Sequence, residues 1–265
     1  MGELYSWQMV FIAVGAPGLF IALAMWFLQE PGRRGKVNAE GEGASLKQVL
    51  AFVKTRRAFF FFLFTTYLCL ATQGWSLFSW LVEFYVRNHE WTKTEIGLIY
   101  GGIAMCVGIL GSVLGGLWAG SLMARKPDAT LRIVMYGTVV LFVTAPVLTY
   151  TEDAWVGIAL LVPVTFCMAM PPGLIMATLQ AVAPNELRGQ MVAFYLIAVN
   201  FLAYTFAPSL PALLSAEFFQ SPLALGKSIS VLAVVNYAIA AVCLALCLKY
   251  YRQALDAARE WASAS

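Results

Sequence analysis

The sequence predicts an all-α fold, a polytopic membrane bundle of seven transmembrane helices, and three observations carry that expectation. Of the 265 residues, 61% are hydrophobic and 12% charged, about half the charged share of a soluble domain. Seven apolar runs each reach the roughly 20 residues that a helix needs to cross a hydrocarbon core about 30 Å thick. Runs such as Phe59 to Phe64 and Ile158 to Pro163 do not alternate, as the strands of a membrane barrel would. A water-soluble globular domain is excluded.

The first run, Trp7 to Leu28, follows Met1-Gly2-Glu3 with no positive residue before it and a basic stretch after it. A retained span is expected, not a cleaved signal peptide. Residues 30–44 are rich in Gly and charge and read as a linker. Ser45 can cap a short helix whose Leu46, Val49, Leu50 and Val53 share a face while Lys47, Lys54, Arg56 and Arg57 stay polar, the pattern of a segment at the cytoplasmic interface. The further spans are Ala58 to Val82, Ile96 to Met123, Leu131 to Tyr150, Trp155 to Val182, Met191 to Leu214 and Ile229 to Leu248. The expected organisation is a lone helix at 1–28, a cytoplasmic linker at 29–57, a six-helix block at 58–250 and a cytoplasmic tail at 251–265. One orphan span before a block of six suggests a piece of a larger protein.

Orientation follows Lys and Arg in the short loops, not net charge. Of the 17 Lys and Arg, only Arg87, Lys93 and Lys227 fall on one side. The other 14 fall in or beside the linker at 29–57, the loops at 124–130 and 183–190, and the carboxyl-terminal region. The amino terminus is expected outside and the carboxyl terminus in the cytoplasm, in the cell (inner) membrane. The five cysteines, Cys69, Cys106, Cys167, Cys243 and Cys247, all lie inside spans, so structural disulfides are not expected. Cys243 and Cys247 share a face but have no His or carboxylate beside them, which favours packing over metal binding.

In the second span Thr66, Cys69, Gln73, Ser76, Trp80 and Glu83 follow a 3, 4, 3, 4, 3 spacing, which keeps them within about a third of the helix circumference. A polar stripe is costly against lipid, so it must face protein or water. Two readings stay open: interhelical hydrogen bonding, or the wall of a solute pathway, with Glu83 a proton site or an interfacial carboxylate. The third span has Gly97 and Gly101, Gly108 and Ser112, Gly111 and Gly115, and Gly116 and Gly120 each four apart. Such small residues permit close backbone approach in lipid. The fifth span carries Pro163 and the pair Pro171-Pro172, which should break or bend it, and interrupted spans point to transporter binding sites. Gln180 on that span, and Asn200 with Tyr204 one turn on in the sixth, are further polar candidates for the pathway.

These residues also carry a resemblance. The stretch from Trp7 through Ala16-Pro17-Gly18 to Glu30-Pro31 resembles the sixth helix of the major facilitator superfamily, with the nearest look in its Spinster-like and organic-anion or sugar-acid branches. Pro184-Asn-Glu-Leu-Arg-Gly-Gln, leading to Asn200 and Ala207-Pro208, resembles the start of that superfamily's eleventh helix. The resemblance covers essentially the whole chain as helices six to twelve, half of a facilitator fold plus one helix, and it raises the use of the second span as a cavity wall. The loop after the third span departs from the family pattern. Where an Asp-Arg pair is usual, this chain has Gly120-Ser121, so a cytoplasmic gate would have to use Arg125, Lys126, Glu186 and Arg188, with Asp128 or Glu186 supplying a carboxylate.

Competing functions fare less well. Seven spans with an outward amino terminus is also receptor topology, but no Lys lies mid-span in the last helix, where Lys227 and Lys249 bracket it. An Asp-Arg-Tyr triplet is missing too. An enzyme is disfavoured by a single His, His89, by unclustered carboxylates and by the lack of a phosphate-binding Gly-Lys-Ser/Thr loop. The basic residues follow the membrane side, which gives nucleic-acid binding no support. The expectation is a secondary active transporter that moves a small organic solute by alternating access, with no cofactor and no metal. The resemblance leaves organic anions, sugar acids and lysolipids open as solutes. A receptor-like or nontransporting interaction protein is the alternative. As read, the chain does not transport alone and needs a separate amino-terminal half.

Overall fold

The computed structural model describes residues 5–27 and 46–264. They are helical almost throughout, and seven helices are long and apolar enough to cross a membrane. The chain divides into two compact units, residues 1–41 and 42–265. In the first, α1 (Ser6–Trp26) starts where the Tyr5 backbone N–H donates to Gln8 Oε1 at 2.9 Å. Residues 30–44 of the expected linker and the capping Ser45 lie outside the described residues.

The second unit holds α2 (Leu46–Thr55), α3 (Arg57–His89), α4 (Lys93–Met123), α5 (Ala129–Tyr150), α6 (Ala154–Ala169), α7 (Pro171–Val182), α8 (Asn185–Leu213) and α9 (Leu225–Ala264). Local chemistry sets the turns. Glu90 ends α3 in the left-handed region at φ 57°. Thr92 and Glu95 then open α4 with a reciprocal cap, each side chain accepting from the other's backbone N–H. Asp153 opens α6 by accepting from the N–H groups of Trp155 and Val156. The fifth span is split into α6 and α7 at Met170, directly before Pro171-Pro172, where two consecutive residues lack a donor. A π-helical turn, Leu214–Phe218, follows Pro208 and Pro211 at the end of α8.

Packing makes α3 central. It lies against α9 and α8, α5 packs on α9 and α6, and α4 packs on α6. Leu63, Leu81, Phe84, Tyr85, Leu141, Leu148, Leu161 and Tyr251 are fully buried among them. The amphipathic segment expected at the end of the linker is α2, with Val49 buried, Leu46 and Leu50 exposed, and Arg56 stacked on Phe52 at 4.7 Å. The glycines of α4 divide by partner. A Cβ on Gly111 would overlap the Phe166 carbonyl, and one on Gly115 would stand 2.8 Å from Met170 Cγ. At Gly97, Gly101, Gly116 and Gly120 nothing lies within 4 Å. One pair of the ridge therefore brings α4 onto the α6 to α7 break. The last helix also runs on past its apolar span as far as Ala264.

Candidate functional site

A cavity of about 360 Å³ lies beside the junction of α6 and α7. Pro171, Pro172 and Met168 line it at the break, and Tyr67, Leu70, Ala71, Gly74, Trp75 and Phe78 line it from α3. Tyr100, Leu141, Asn200 and Tyr237 complete it from α4, α5, α8 and α9. Its volume falls in the ordinary range of small-molecule sites. The walls are aromatic and apolar, and no lining residue is charged.

On α3 the cavity wall and the polar stripe fall on nearly opposite faces. At 100° per residue, the mean direction of the six lining residues is roughly 160° from that of the stripe. The stripe faces into the protein. Gln73 is 2% exposed, accepts at Oε1 from Asn236 Nδ2 at 3.3 Å and donates to the Ile229 carbonyl at 3.5 Å. These are bonds between α3 and α9. Thr66, Cys69 and Ser76 are buried, and the Thr66 and Ser76 hydroxyls have no hydrogen-bond partner among the described residues. Trp80 is half-buried and its indole N–H donates to the Pro208 carbonyl at 2.9 Å on α8. Glu83 pairs with Arg87 one turn on at 2.7 Å.

Of the other sequence candidates, Asn200 lines the cavity, donating Nδ2 to Leu196 and leaving its carbonyl oxygen available. Tyr204 is 53% exposed and adjoins the site through Trp75, its ring centroid 4.4 Å from that residue's. Gln180 is exposed on α7 and does not line the cavity. The structure thus joins Asn200 to a constellation that the sequence reading passed over. A signal for it was present. Aromatic Tyr67, Trp75 and Phe78 recur along α3 with Ala71 and Gly74 between them, a face too rich in rings and gaps for ordinary helix packing. Gly74 admits Met168, whose methyl group would stand 3.0 Å from an added Cβ.

At the end of the bundle that carries Arg125 and Lys126, the carboxylate of Asp128 is 1% exposed. Arg132 Nε donates to its Oδ1 at 2.9 Å, while Arg252 Nε and Nη2 donate to its Oδ2 at 3.1 and 2.9 Å. Burial by itself would raise the carboxyl pKa, but the hydrogen bonds and charges of the two guanidiniums outweigh it and hold the group below the usual carboxylate range. Asp128 therefore ties α5 to α9, not to Arg125 or Arg188. Those two and Lys126 are exposed and form no ion pair among the described residues. The side chain of Glu186 lies outside the described residues. Among the described residues no group of His, Cys, Asp and Glu side chains could hold a metal ion.

The described residues thus form a bundle of membrane-crossing helices with a split span beside an uncharged, ring-lined cavity. The sequence profile of the Major Facilitator Superfamily matches residues 1–208. The chain belongs to that superfamily and is an integral membrane protein. No curated protein sequence matches it. In structure it is similar to a bacterial homologue of the human lysosomal transporter Spinster, inward-facing and unoccupied, with TM-score 0.65 and 19% identity over 96% of this chain and 60% of that one. A second structure of a bacterial Spinster homologue, inward-facing and occupied, gives TM-score 0.62 and 18% identity over 95% of this chain and 58% of that one. At these identities the likeness shows the fold. The chain spans about 60% of the length of these structures.

Proposed function

We propose that the chain works in secondary active transport, moving a small organic solute across the cell membrane by alternating access, with the cavity as its contribution to the solute pathway. The carrying observation is the coincidence of the Pro171-Pro172 break with a cavity of about 360 Å³ lined from seven helices, α3 to α9. Interrupted spans mark the places where transporters grip and release solute, and both prolines line the cavity. In this reading Trp75, Phe78, Tyr67 and Asn200 contact solute, while Gln73 and Trp80 hold α9 and α8 against α3 and so fix the cavity's back wall. In the same reading Glu83 and Arg87 mark the outer end of α3, and Arg125, Lys126 and Arg188 belong to the cytoplasmic face. The asymmetry of 14 basic residues to three supports an outward amino terminus and a cytoplasmic carboxyl terminus.

Alternating access rocks two helical bodies about a shared site, so the proposal includes a separate amino-terminal half as partner. The test is reconstitution of the chain in liposomes, alone and with the five-helix portion of a related facilitator, with uptake measured for neutral, cationic and anionic organic solutes. Saturable uptake that needs the partner and is lost in Trp75→Ala is the expected result. Uptake indifferent to Trp75→Ala and Asn200→Leu would reject the cavity as the pathway.

A further inference from the structure

We propose that α2 binds anionic phospholipid: Leu46 and Leu50 seat it in the edge of the leaflet where α3 enters the membrane, and Lys47 and Lys54 take the lipid phosphates. The inference goes beyond the solute pathway and depends only on the chain being a membrane protein. Arg57 directly precedes an unbroken apolar run, Ala58 to Phe64, so the membrane boundary falls at the start of α3. The chain bends there, with Arg56 between the two helices at φ −125° and ψ 40°. The rings of Phe52 and Phe60 meet at 5.9 Å, although a continuous helix would set the two residues about 12 Å apart along its axis. Helix α2 therefore lies against the bundle at the level of that boundary, packed on α8 and α3.

The sides of α2 follow from a step of about 100° per residue. Val49, Phe52 and Val53 form the side packed into the protein. About a quarter turn on stand Leu46 and Leu50, both exposed. Roughly 70° further come Lys47 and Lys54, also exposed, about two turns apart on one line. Gln48 and Thr55 take the remaining side. An apolar strip between a packed face and a basic strip suits a helix lying in the membrane interface, with its leucines among the upper acyl carbons and its lysine stems reaching to the phosphates. Charge complementarity decides the headgroup. Residues 46–57 hold Lys47, Lys54, Arg56 and Arg57 and no carboxylate. Lys47, Lys54 and Arg57 form no ion pair among the described residues, and Arg56 is stacked on Phe52. The buried carboxylate of Asp128 is already taken up by Arg132 and Arg252. The countercharge for α2 thus comes from the leaflet.

The test uses the full chain without native cysteines, carrying Leu50→Cys labelled with an uncharged fluorophore and reconstituted in bilayers of phosphatidylcholine and phosphatidylglycerol. Bromine is placed on the acyl chains of one lipid at a time, so that quenching gives the relative binding constant of the two lipids at α2. Phosphatidylglycerol should be preferred about 3- to 10-fold, the worth of about one basic side chain at an anionic surface. Lys47→Gln with Lys54→Gln should bring the ratio below about twofold, and Lys47→Arg with Lys54→Arg should keep it. A label at Thr55→Cys should be quenched by aqueous iodide and by neither lipid. Equal quenching by the two lipids at position 50 would overturn the proposal, as would a preference that survives the Gln pair or is lost in the Arg pair. Iodide quenching at position 50 without lipid quenching would show a face in water, and shielding from both would show a protein partner on it. Either result refutes lipid binding.

Discussion

Replacing Asp128 with Asn should destabilise the helical bundle through one identifiable tie. The substitution keeps the shape of the side chain but removes the charge and turns one of its two acceptors into a donor facing guanidinium N–H groups. Three charge-assisted bonds are affected. Hydrogen bonds to charged groups are worth about 1.5–3 kcal/mol each in the net, and breaking a fully buried ion pair costs about 3–5 kcal/mol. Neither figure applies in full, because Arg132 and Arg252 are 27% and 59% exposed at their side chains and water can take over their donors. The expected loss is about 2 kcal/mol, or a midpoint lower by about 4–8 °C for a protein of this size.

Four of the five cysteines are buried and Cys106 is exposed, so a thiol-reactive fluorophore on a Cys106→Ser background reports unfolding of the interior. The pH dependence has a definite sign. A carboxyl held below its ordinary pKa contributes stability above the unfolded-state value and loses it as pH falls through the folded one. Asp128→Asn should therefore flatten the acid limb of the stability profile while lowering the midpoint at neutral pH. Arg252→Gln should lose less when Asn already stands at 128. A midpoint for Asp128→Asn within 1 °C of wild type, or an unchanged acid limb, would refute the tie.

Gly111→Ala should lower the unfolding midpoint through overlap with the Phe166 carbonyl, whereas Gly116→Ala, with open space around it, should match or exceed wild type by up to about 1 kcal/mol from helix propensity. Gln73→Leu leaves Asn236 without its acceptor and should reduce folded yield and cost about 1–2 kcal/mol, measured by size-exclusion recovery and the same thiol assay. In a chain without native cysteines, Glu152→Cys should react with an impermeant maleimide from outside intact cells and Lys126→Cys should not; the reverse pattern would invert the topology.

Membrane residence, helix number and the break in the fifth span were legible in the chain because each depends on local composition. A run of apolar residues as long as the bilayer is thick has one solution, and two adjacent prolines remove backbone donors wherever they stand. The stripe on α3 was legible as well, since 3, 4 spacing fixes a face. Its partner was not. Whether Gln73 meets a solute or Asn236 depends on how α9, more than 150 residues later in the chain, docks against α3. The same holds for Asp128, whose nearest cations in sequence include Arg125 and Lys126, yet whose second guanidinium comes from Arg252 on α9. In lipid, polar groups gain most by pairing with one another inside the bundle, so the face richest in polar residues turned inward. The opposite face, of rings and small residues, was left free to line a cavity, and only the packing of α3 to α9 decided its walls.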